Sequence, residues 1–320
     1  MNYSPILIVS GEPNSIFLEI FFKTIKIKKI KSPLILISSE NILKKQMKKL
    51  KFKMKINLIN YKDFDSDKLN NKSINLINVN FNQKKPFDKI SKKSNKFIDK
   101  SFQIAFEIIK KQKIYKFING PISKKYFLGN KYLGITEFIS KKFRSKESCM
   151  LIFNKELSVC PITTHLPVKQ ISKNINKKSI IQKITLINNF YKNFLGVNPK
   201  IAVLGLNPHC ESISSYNEDE KIIKPLINNL KKKYKISGPY SADTMFIKNI
   251  RKKFNVIVGM YHDQVLTPIK TLYEYDAINI TLGLPFIRIS PDHGPNEKML
   301  GKNLSNPLSL IQAIKFLDKR

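Results

Sequence analysis

Three histidines each come directly after a predicted strand of this 320-residue chain: His165, His209 and His262. In an open sheet of parallel strands, the carboxyl ends of several strands can lie at one edge, where ligands bind. Three imidazoles brought together there would suit a divalent metal ion such as zinc or cobalt. Because the spacing matches no local metal-binding motif, three separate loop histidines remain the alternative.

Charged side chains near these strand ends could transfer protons or bind anions. Asp263, next to His262, and Asp243 could each orient a metal ligand or act as an acid or base, although Asp243 could also be a helix N-cap. Lys270 follows His262 by eight residues, and a surface position is its alternative. Arg288 stands in an apolar run and needs an anion, either a protein carboxylate or a substrate phosphate.

The elements that would position these residues are short apolar runs alternating with amphipathic stretches, which predicts an α/β fold with a mostly parallel sheet. The polar stretches 61–73 and 82–96 are predicted to be surface loops. The predicted strands are 6–9, 34–38, 74–79, 114–118, 150–153, 157–162, 201–206, 256–261 and 278–282. The predicted helical stretches are 96–111, 179–194, 218–232 and 242–253.

Composition narrows the class of protein. Hydrophobic residues make up 42% of the chain, which is enough for a packed core. No apolar run approaches the ~18 residues of a membrane span, so we expect a cytoplasmic protein. The three cysteines lack the spacing of a zinc ribbon or a disulfide framework. The chain also lacks the G-x-G-x-x-G, P-loop and G-x-S-x-G motifs, so a dinucleotide would have to bind by another architecture.

The net charge of +35 points at first to nucleic acid. Almost all of the excess is lysine spread along the whole chain, whereas specific readers of phosphate and bases favour arginine. We therefore interpret the charge as a solvated surface, with nucleic acid as a less favoured partner. Such a surface can still attract anionic metabolites.

Seven short sequence motifs occur in order along the chain and together resemble the pattern of a known family. They are Gly120–Lys124, Thr164–Pro167, Gly205–His209, Gly238-Pro239 with Ala242–Thr244, Tyr261–Gln264, Asn279–Pro285 and Asp292–Gly294. From about residue 117 to the end, the chain resembles the 4-hydroxythreonine-4-phosphate dehydrogenase family of vitamin B6 synthesis. Over the first hundred residues the resemblance is weak.

The resemblance implies a fold like that of isocitrate and isopropylmalate dehydrogenases, with two α/β/α domains and a cleft between them. We expect the first domain at residues 1–128 plus 290–320, and the second at 129–289. The resemblance also implies a homodimer whose active sites use residues of both subunits.

Site residues follow from the same resemblance. It implies that His165, His209 and His262 bind one divalent ion, which could be zinc, cobalt or magnesium. The implied substrate contacts are Thr136, Lys270, Asn279 and Arg288. The implied cofactor segment runs from Asp292 to Gly301 and includes His293 and Gly294; it would hold the adenosine half of NAD or NADP. Asp243 and Lys270 are the candidates for the catalytic acid or base.

The implied reaction is the NAD-dependent oxidation of 4-phosphohydroxy-L-threonine, with decarboxylation to 3-amino-2-oxopropyl phosphate, in pyridoxine 5'-phosphate synthesis. One alternative is a dehydrogenase for a related phosphorylated hydroxy acid, such as a 4-phosphorylated threonate or erythronate. Another is a degenerate, non-catalytic relative with a basic binding surface.

Departures from the family pattern bear on these alternatives. Ile135 stands where the family usually has histidine, and the turn Gly11–Glu19 keeps little of the family's glycine pattern. In the cofactor segment, Pro295, Asn296 and Lys298 replace the usual residues. The changes fall on cofactor and substrate contacts rather than on the histidines. Two consequences are therefore open: weaker NAD binding or a changed substrate.

Overall fold

The computed structural model describes residues 3–27, 29–129, 131–132, 134–145, 147–213, 216–291 and 293–318. The strands are β1 (Ile6–Val9), β2 (Leu34–Ser38), β3 (Ile56–Leu58), β4 (Ile74–Asn78), β5 (Lys116–Asn119), β6 (Cys149–Phe153), β7 (Ser158–Thr163), β8 (Ile201–Leu204), β9 (Ile236–Tyr240), β10 (Val256–Tyr261), β11 (Ile278–Leu282) and β12 (Ile287–Pro291). The chain divides into two compact units, the first formed by Met1–Phe138 with Pro285–Arg320 and the second by Ile139–Leu284.

Helices of several lengths connect these strands. They are α1 (Phe17–Ile25), α2 (Glu40–Lys49), α3 (Asn95–Gln112), α4 (Ile135–Lys142), α5 (Ile171–Asn174), α6 (Lys177–Leu195), α7 (Lys224–Leu230), α8 (Ala242–Met245), α9 (Lys248–Arg251), α10 (His262–Tyr273) and α11 (Leu308–Asp318). Among the described residues, no helix is both long and apolar enough to cross a membrane.

The first unit is built on parallel strands in the order β3-β4-β2-β1-β5-β12. Strands β1 and β2 are entirely buried, with the sequences ILIV and LILIS. Continuous apolar runs of this kind are typical of parallel strands covered on both faces. The loops after β1, β5 and β12 therefore leave the sheet at the same edge.

The second unit has the strand order β11-β6-β7-β10-β8-β9. Strands β7, β10, β8 and β9 are parallel, and only β6, among the described strands of this unit, pairs antiparallel with both of its neighbours. Residues of β7, β8, β10 and α10 share one buried apolar cluster, which holds these elements together. The carboxyl ends of β7, β10 and β8 consequently lie side by side.

The predicted α/β fold with a mostly parallel sheet is confirmed. Strands β1, β2, β10 and β11 have their predicted bounds. The prediction missed three strands. They are β3, a short strand with exposed positions at the edge of its sheet, β9, which contains a Gly-Pro pair that weakens the strand pattern, and β12, whose apolar run is interrupted by Arg288. The single helix predicted over 242–253 was wrong: α8 ends at Met245, and the extended Ile247 separates it from α9.

Candidate active site

The predicted metal histidines follow three neighbouring parallel strands. His165 comes two residues after β7, His262 begins α10 directly after β10, and His209 lies in the short 3-10 turn Pro208–Cys210 after β8. Because these strands are adjacent in the order β7-β10-β8, all three histidines leave the sheet at one edge. Neighbouring strands are about 4.8 Å apart, so this edge is narrow enough for side chains to meet.

Two of the three imidazoles are close neighbours. The ring centroids of His165 and His262 lie 5.8 Å apart, with an angle of 37° between the ring planes. The Nδ1 atom of His262 lies 2.6 Å from Oδ1 of Asp263. A hydrogen bond from Nδ1 to this carboxylate leaves the lone pair of His262 on Nε2, as is usual for metal-binding histidines. Asp263 thus fits the orienting role suggested by its position in the sequence.

His165 and His209 both have left-handed backbone conformations, with φ of 55° and 56°. Cys210, the residue after His209, also has a positive φ of 63°. Such a conformation costs a residue with a side chain roughly 1–2 kcal/mol. Strain of this kind tends to occur where a loop has to present a functional group, and here it lies on two of the predicted ligands.

The third imidazole does not complete a metal cluster. Within the described ranges, no group of three or more His, Cys, Asp or Glu side chains is arranged to hold a metal ion. The structure therefore brings together His165 and His262 and places His209 at the same sheet edge. The chemistry of three imidazoles fits zinc or cobalt better than magnesium, which prefers oxygen ligands.

Three further predicted residues lie in the second unit. Lys270 is exposed on α10, two turns beyond His262. Asn279 lies on β11, and its Oδ1 atom is buried with no hydrogen-bond partner among the described residues. A buried acceptor of this kind would accept a hydrogen bond from a bound molecule. The N-cap interpretation of Asp243 was wrong: Ser241 is the N-cap of α8, and Asp243 is exposed in its first turn.

Arg288 of the first unit is completely buried on β12, as its apolar context predicted. Its Nε donates to Oδ1 of Asn119 at 2.7 Å, and its Nη1 donates to Oγ1 of Thr136 at 3.2 Å. Burial lowers the pKa of Arg288 to about 10, while the charge of Glu137 acts in the opposite direction. Arg288 therefore remains a cation at neutral pH, and the Glu137 carboxylate is near enough for its charge to act on it.

The predicted cofactor segment begins after β12. Asp292 lies outside the described residues, whereas His293 and Gly294 are described. The His293 ring lies 6.4 Å from the ring of Phe17, and the backbone N–H of Ile16 donates to the carbonyl of Pro295 at 3.1 Å. His293 and Pro295 therefore lie against residues 16–17, where the chain enters α1. These residues belong to the turn Gly11–Glu19, which keeps little of the family's glycine pattern.

Buried acidic residues are what the sequence reasoning missed. Glu12, Glu19 and Asp219 are 1%, 2% and 0% exposed. Glu12 accepts hydrogen bonds from the Ser94 hydroxyl at 2.8 Å and from the backbone N–H of Asn14 at 3.2 Å, and burial raises its pKa. The signal for Glu19 was its place as the lone acid in the apolar run FLEIFF. No local signal distinguished Asp219, which stands in an acidic, polar stretch.

The mostly parallel sheet places this chain in the class of α/β proteins with the isocitrate dehydrogenase-like fold. Isocitrate dehydrogenase from Methylococcus capsulatus shares that fold, with a TM-score of 0.50 at 9% identity over 97% of this chain and 83% of its own. The sequence profile described as "Pyridoxal phosphate biosynthetic protein PdxA" matches residues 29–317, and the chain belongs to that family of dehydrogenases. The predicted family is thereby confirmed.

Similar proteins are named as dehydrogenases of phosphorylated hydroxy acids. The 4-hydroxythreonine-4-phosphate dehydrogenase of Sulfurihydrogenibium sp. (strain YO3AOP1) is 37% identical over 97% of this chain and 96% of its own. A crystal structure of a 4-hydroxythreonine-4-phosphate dehydrogenase from Burkholderia phymatum has a TM-score of 0.79 at 26% identity, covering 99% and 98% of the two chains. A protein of Oceanobacillus iheyensis with the provisional name D-threonate 4-phosphate dehydrogenase is 33% identical over 66% of this chain and 65% of its own.

Proposed function

We propose that this protein catalyses the NAD-dependent oxidation of 4-phosphohydroxy-L-threonine. The β-keto acid that results then loses carbon dioxide to give 3-amino-2-oxopropyl phosphate, on the route to pyridoxine 5'-phosphate. The observation that carries the proposal is the placement of His165, His209 and His262 at the ends of three adjacent parallel strands, in a chain of this family.

We propose that these three histidines hold one divalent ion. The neighbouring rings of His165 and His262 and the orienting bond to Asp263 support this, and zinc or cobalt fits the imidazoles best. A bound ion would supply Lewis-acid stabilisation of negative charge on the reacting oxygen. The left-handed backbone of His165 and His209 is strain of the kind that clusters at functional sites, which also supports the proposal.

Four residues are proposed to bind substrate. In the first unit, the Arg288 guanidinium binds an anionic group and Thr136, which it contacts, contributes a hydroxyl. In the second unit, the buried Asn279 Oδ1 accepts a hydrogen bond from the substrate, and Lys270 neutralises a negative charge. If Lys270 is the charged contact, Asp243 takes the proton of the secondary alcohol; alternatively, Lys270 takes it as the neutral amine. Both are exposed to solvent, which allows the proton to leave.

NAD, or NADP, is the proposed hydride acceptor, held by the segment that includes Asp292, His293 and Gly294. We propose that NAD binds less tightly than in a family member with the usual residues, because Pro295 has no backbone N–H to donate. One missing hydrogen bond is worth on the order of 1 kcal/mol, or several-fold in affinity. Lys298, which replaces an acidic residue, would favour the extra phosphate of NADP.

Calorimetric titration with NAD and with NADP, in the presence of metal and substrate, tests this cofactor proposal. Submicromolar affinity for NAD would contradict weakened binding. Binding of neither dinucleotide would contradict the dehydrogenase proposal and favour a non-catalytic protein with a basic binding surface.

We also propose that the protein is a homodimer whose active sites use residues of both subunits, as the family resemblance implies. Analytical ultracentrifugation together with the activity assay tests this. A fully active species with the mass of one chain would contradict it.

A second candidate substrate is a 4-phosphorylated threonate, which the name of the Oceanobacillus relative suggests. Ile135, at the position of the usual histidine, favours keeping this candidate because it removes one polar contact to the substrate. Assays of nicotinamide reduction with 4-phosphohydroxy-L-threonine and with D-threonate 4-phosphate, under identical metal and cofactor conditions, decide between them. Higher kcat/KM for the amino acid supports the first proposal, and higher kcat/KM for threonate supports the second.

A further inference from the structure

Gln264 connects two of the strand ends that carry the histidines. Its Nε2 donates to the carbonyl of Gly205 at 2.8 Å, and its Oε1 accepts from the backbone N–H of Met260 at 2.7 Å. Gly205 begins the segment Gly205–Cys210, which we call the His209 loop, and Met260 lies in β10 two residues before His262. One side chain therefore joins the His209 loop to the strand that leads into His262.

Asp219 holds the His209 loop from a second direction. Its Oδ1 accepts from the backbone N–H of Leu206 at 2.7 Å, and its Oδ2 accepts from the backbone and side-chain N–H groups of Asn207, both at 3.0 Å. The carboxylate is fully buried, so these bonds are shielded from water. Two consecutive residues of the loop are thus fixed by one side chain that lies outside the loop.

The loop is also closely packed against this carboxylate. A Cβ atom at Gly205 would lie 2.7 Å from both Asp219 Oδ1 and Cys210 Sγ, so no larger residue fits there without a shift. Tight packing at the start of the loop, followed by the left-handed conformations of His209 and Cys210, leaves the backbone little freedom to move.

A third bond extends the connection to the strand that leads to His165. The Thr163 hydroxyl, at the end of β7, donates to the carbonyl of Met260 at 2.8 Å. The Met260 backbone is therefore bonded to Thr163 on one side and to Gln264 on the other. A continuous set of hydrogen bonds runs from the end of β7, through β10, to the His209 loop.

We propose that Gln264 and Asp219 are positioning residues that hold the His209 loop at the sheet edge that carries His165 and His262, from which binding of a cation would draw the third imidazole to the other two. This inference rests on the proposed metal role of the histidines. Neither residue has to touch the ion or the substrate. Residues that support metal ligands in this way change metal affinity by about 10- to 100-fold when they are replaced.

Titration with Co²⁺ tests the proposal, because its visible spectrum reports both affinity and coordination geometry. Gln264→Ala removes both bonds of the bridge, whereas Gln264→Glu can still accept from Met260 but cannot donate to Gly205. Both variants should raise the Kd for Co²⁺ about tenfold and alter the spectrum, with an unfolding transition close to that of wild type. Amide hydrogen exchange at Leu206 and Asn207 should be faster in both.

Matched controls separate positioning from general effects. Gln182 is a half-buried glutamine of the same unit whose side chain donates to Glu147 at the surface, and Glu220 is the exposed acid next to Asp219, paired with Lys224 at 2.9 Å. Gln182→Ala and Glu220→Gln should leave Co²⁺ affinity unchanged. Asp219→Asn should weaken Co²⁺ binding like the Gln264 variants, and if it does not fold, the Gln264 variants decide.

Two results would overturn the inference, and they can be distinguished. Unchanged Co²⁺ affinity and spectrum in the folded Gln264 variants would show that the bridge does not position the histidines. If the wild-type protein itself binds no Co²⁺ or Zn²⁺, the proposed metal role is wrong, and the inference falls with it.

Discussion

Polar side chains are exposed in one region of the molecule and buried in another. The first region is the sheet edge of the second unit that carries the histidines, and the second is the set of buried charges in the first unit. His165 and His209 are exposed, and both have left-handed backbone conformations. Arg288, Glu12 and Glu19 are buried, and each is held by direct hydrogen bonds. We therefore expect replacement of a histidine to weaken metal binding and leave stability almost unchanged. Replacement of a buried charge should lower stability and, at Arg288, weaken substrate binding as well.

The largest expected effect is the loss of an imidazole. His262→Ala and His209→Ala should each remove most of the bound metal and lower kcat/KM by at least about a hundredfold, because Lewis-acid stabilisation is worth several kcal/mol. Elemental analysis of the purified variants and the nicotinamide reduction assay measure this. The unfolding midpoint should stay near that of wild type. Full metal content in His209→Ala would show that His209 is not a metal ligand.

Arg288→Lys should give the next largest effect and should lower both the stability of the protein and its affinity for substrate. Lysine keeps the charge but cannot reach Asn119 and Thr136 with the same planar fork. We expect a free energy of unfolding lower by about 1–3 kcal/mol and a KM raised about tenfold. Urea denaturation and steady-state kinetics measure the two. A loss of stability with an unchanged KM would make Arg288 purely structural.

Glu19→Gln tests a buried acid that is far from the histidines in sequence. Glu19 pairs with Lys23 at 2.9 Å and accepts from the backbone N–H of Ser305 at 2.6 Å, which joins α1 to the segment before α11. We expect a free energy of unfolding lower by about 1–2 kcal/mol, since a buried, charge-assisted acceptor is weakened.

The matched control for Glu19 is Glu107→Gln. Glu107 forms the same i,i+4 pair with Lys111 at 2.8 Å, but on an exposed face of α3. Urea denaturation should show little or no change in this control. Equal losses in the two variants would show that burial is not what distinguishes the charged groups of the first unit.

The smallest effect is expected from Glu12→Gln, and its sign depends on pH. Burial, together with the charge of Glu297, raises the pKa of Glu12 above its ordinary value of 4.5, so the folded protein binds this proton more tightly than the unfolded chain does. The stability contributed by Glu12 is therefore complete below the ordinary value and falls as the pH rises through the folded pKa. Glutamine cannot ionise and should not show this fall.

Urea denaturation of wild type and Glu12→Gln across the acidic to neutral range measures this difference. The free energy of unfolding of the variant, relative to wild type, should increase as the pH rises. Glutamine has one acceptor oxygen where the carboxylate has two, so it can accept from Ser94 or from the backbone N–H of Asn14 but not from both. The net change at neutral pH should therefore be smaller than the ~1 kcal/mol of one hydrogen bond. A relative stability that falls with rising pH would show that the ionised carboxylate is the favoured form.

Most strand ends could be located from the sequence, because short, purely apolar runs and scarce residue types are local signals. Sequence reasoning placed His165, His209 and His262 after strands and Arg288 in a buried run, and the structure agrees. The spatial order β7-β10-β8 could not be predicted, because it depends on pairing between segments that are distant in the chain. The partners of Arg288 and the bonds of Gln264 and Asp219 are likewise long-range, and no spacing rule reports them.

The close packing at Gly205 also restricts the order in which this loop can evolve. A Cβ at that position meets both Asp219 and Cys210, so Gly205→Ala becomes tolerable only after both neighbours have shrunk or moved. Shortening Asp219 would release the Leu206 and Asn207 amides before any benefit at Gly205 could appear. The three positions are therefore expected to show strong epistasis. A library that varies them together should yield functional alanine at Gly205 only in particular combinations, even though each change differs by a few atoms.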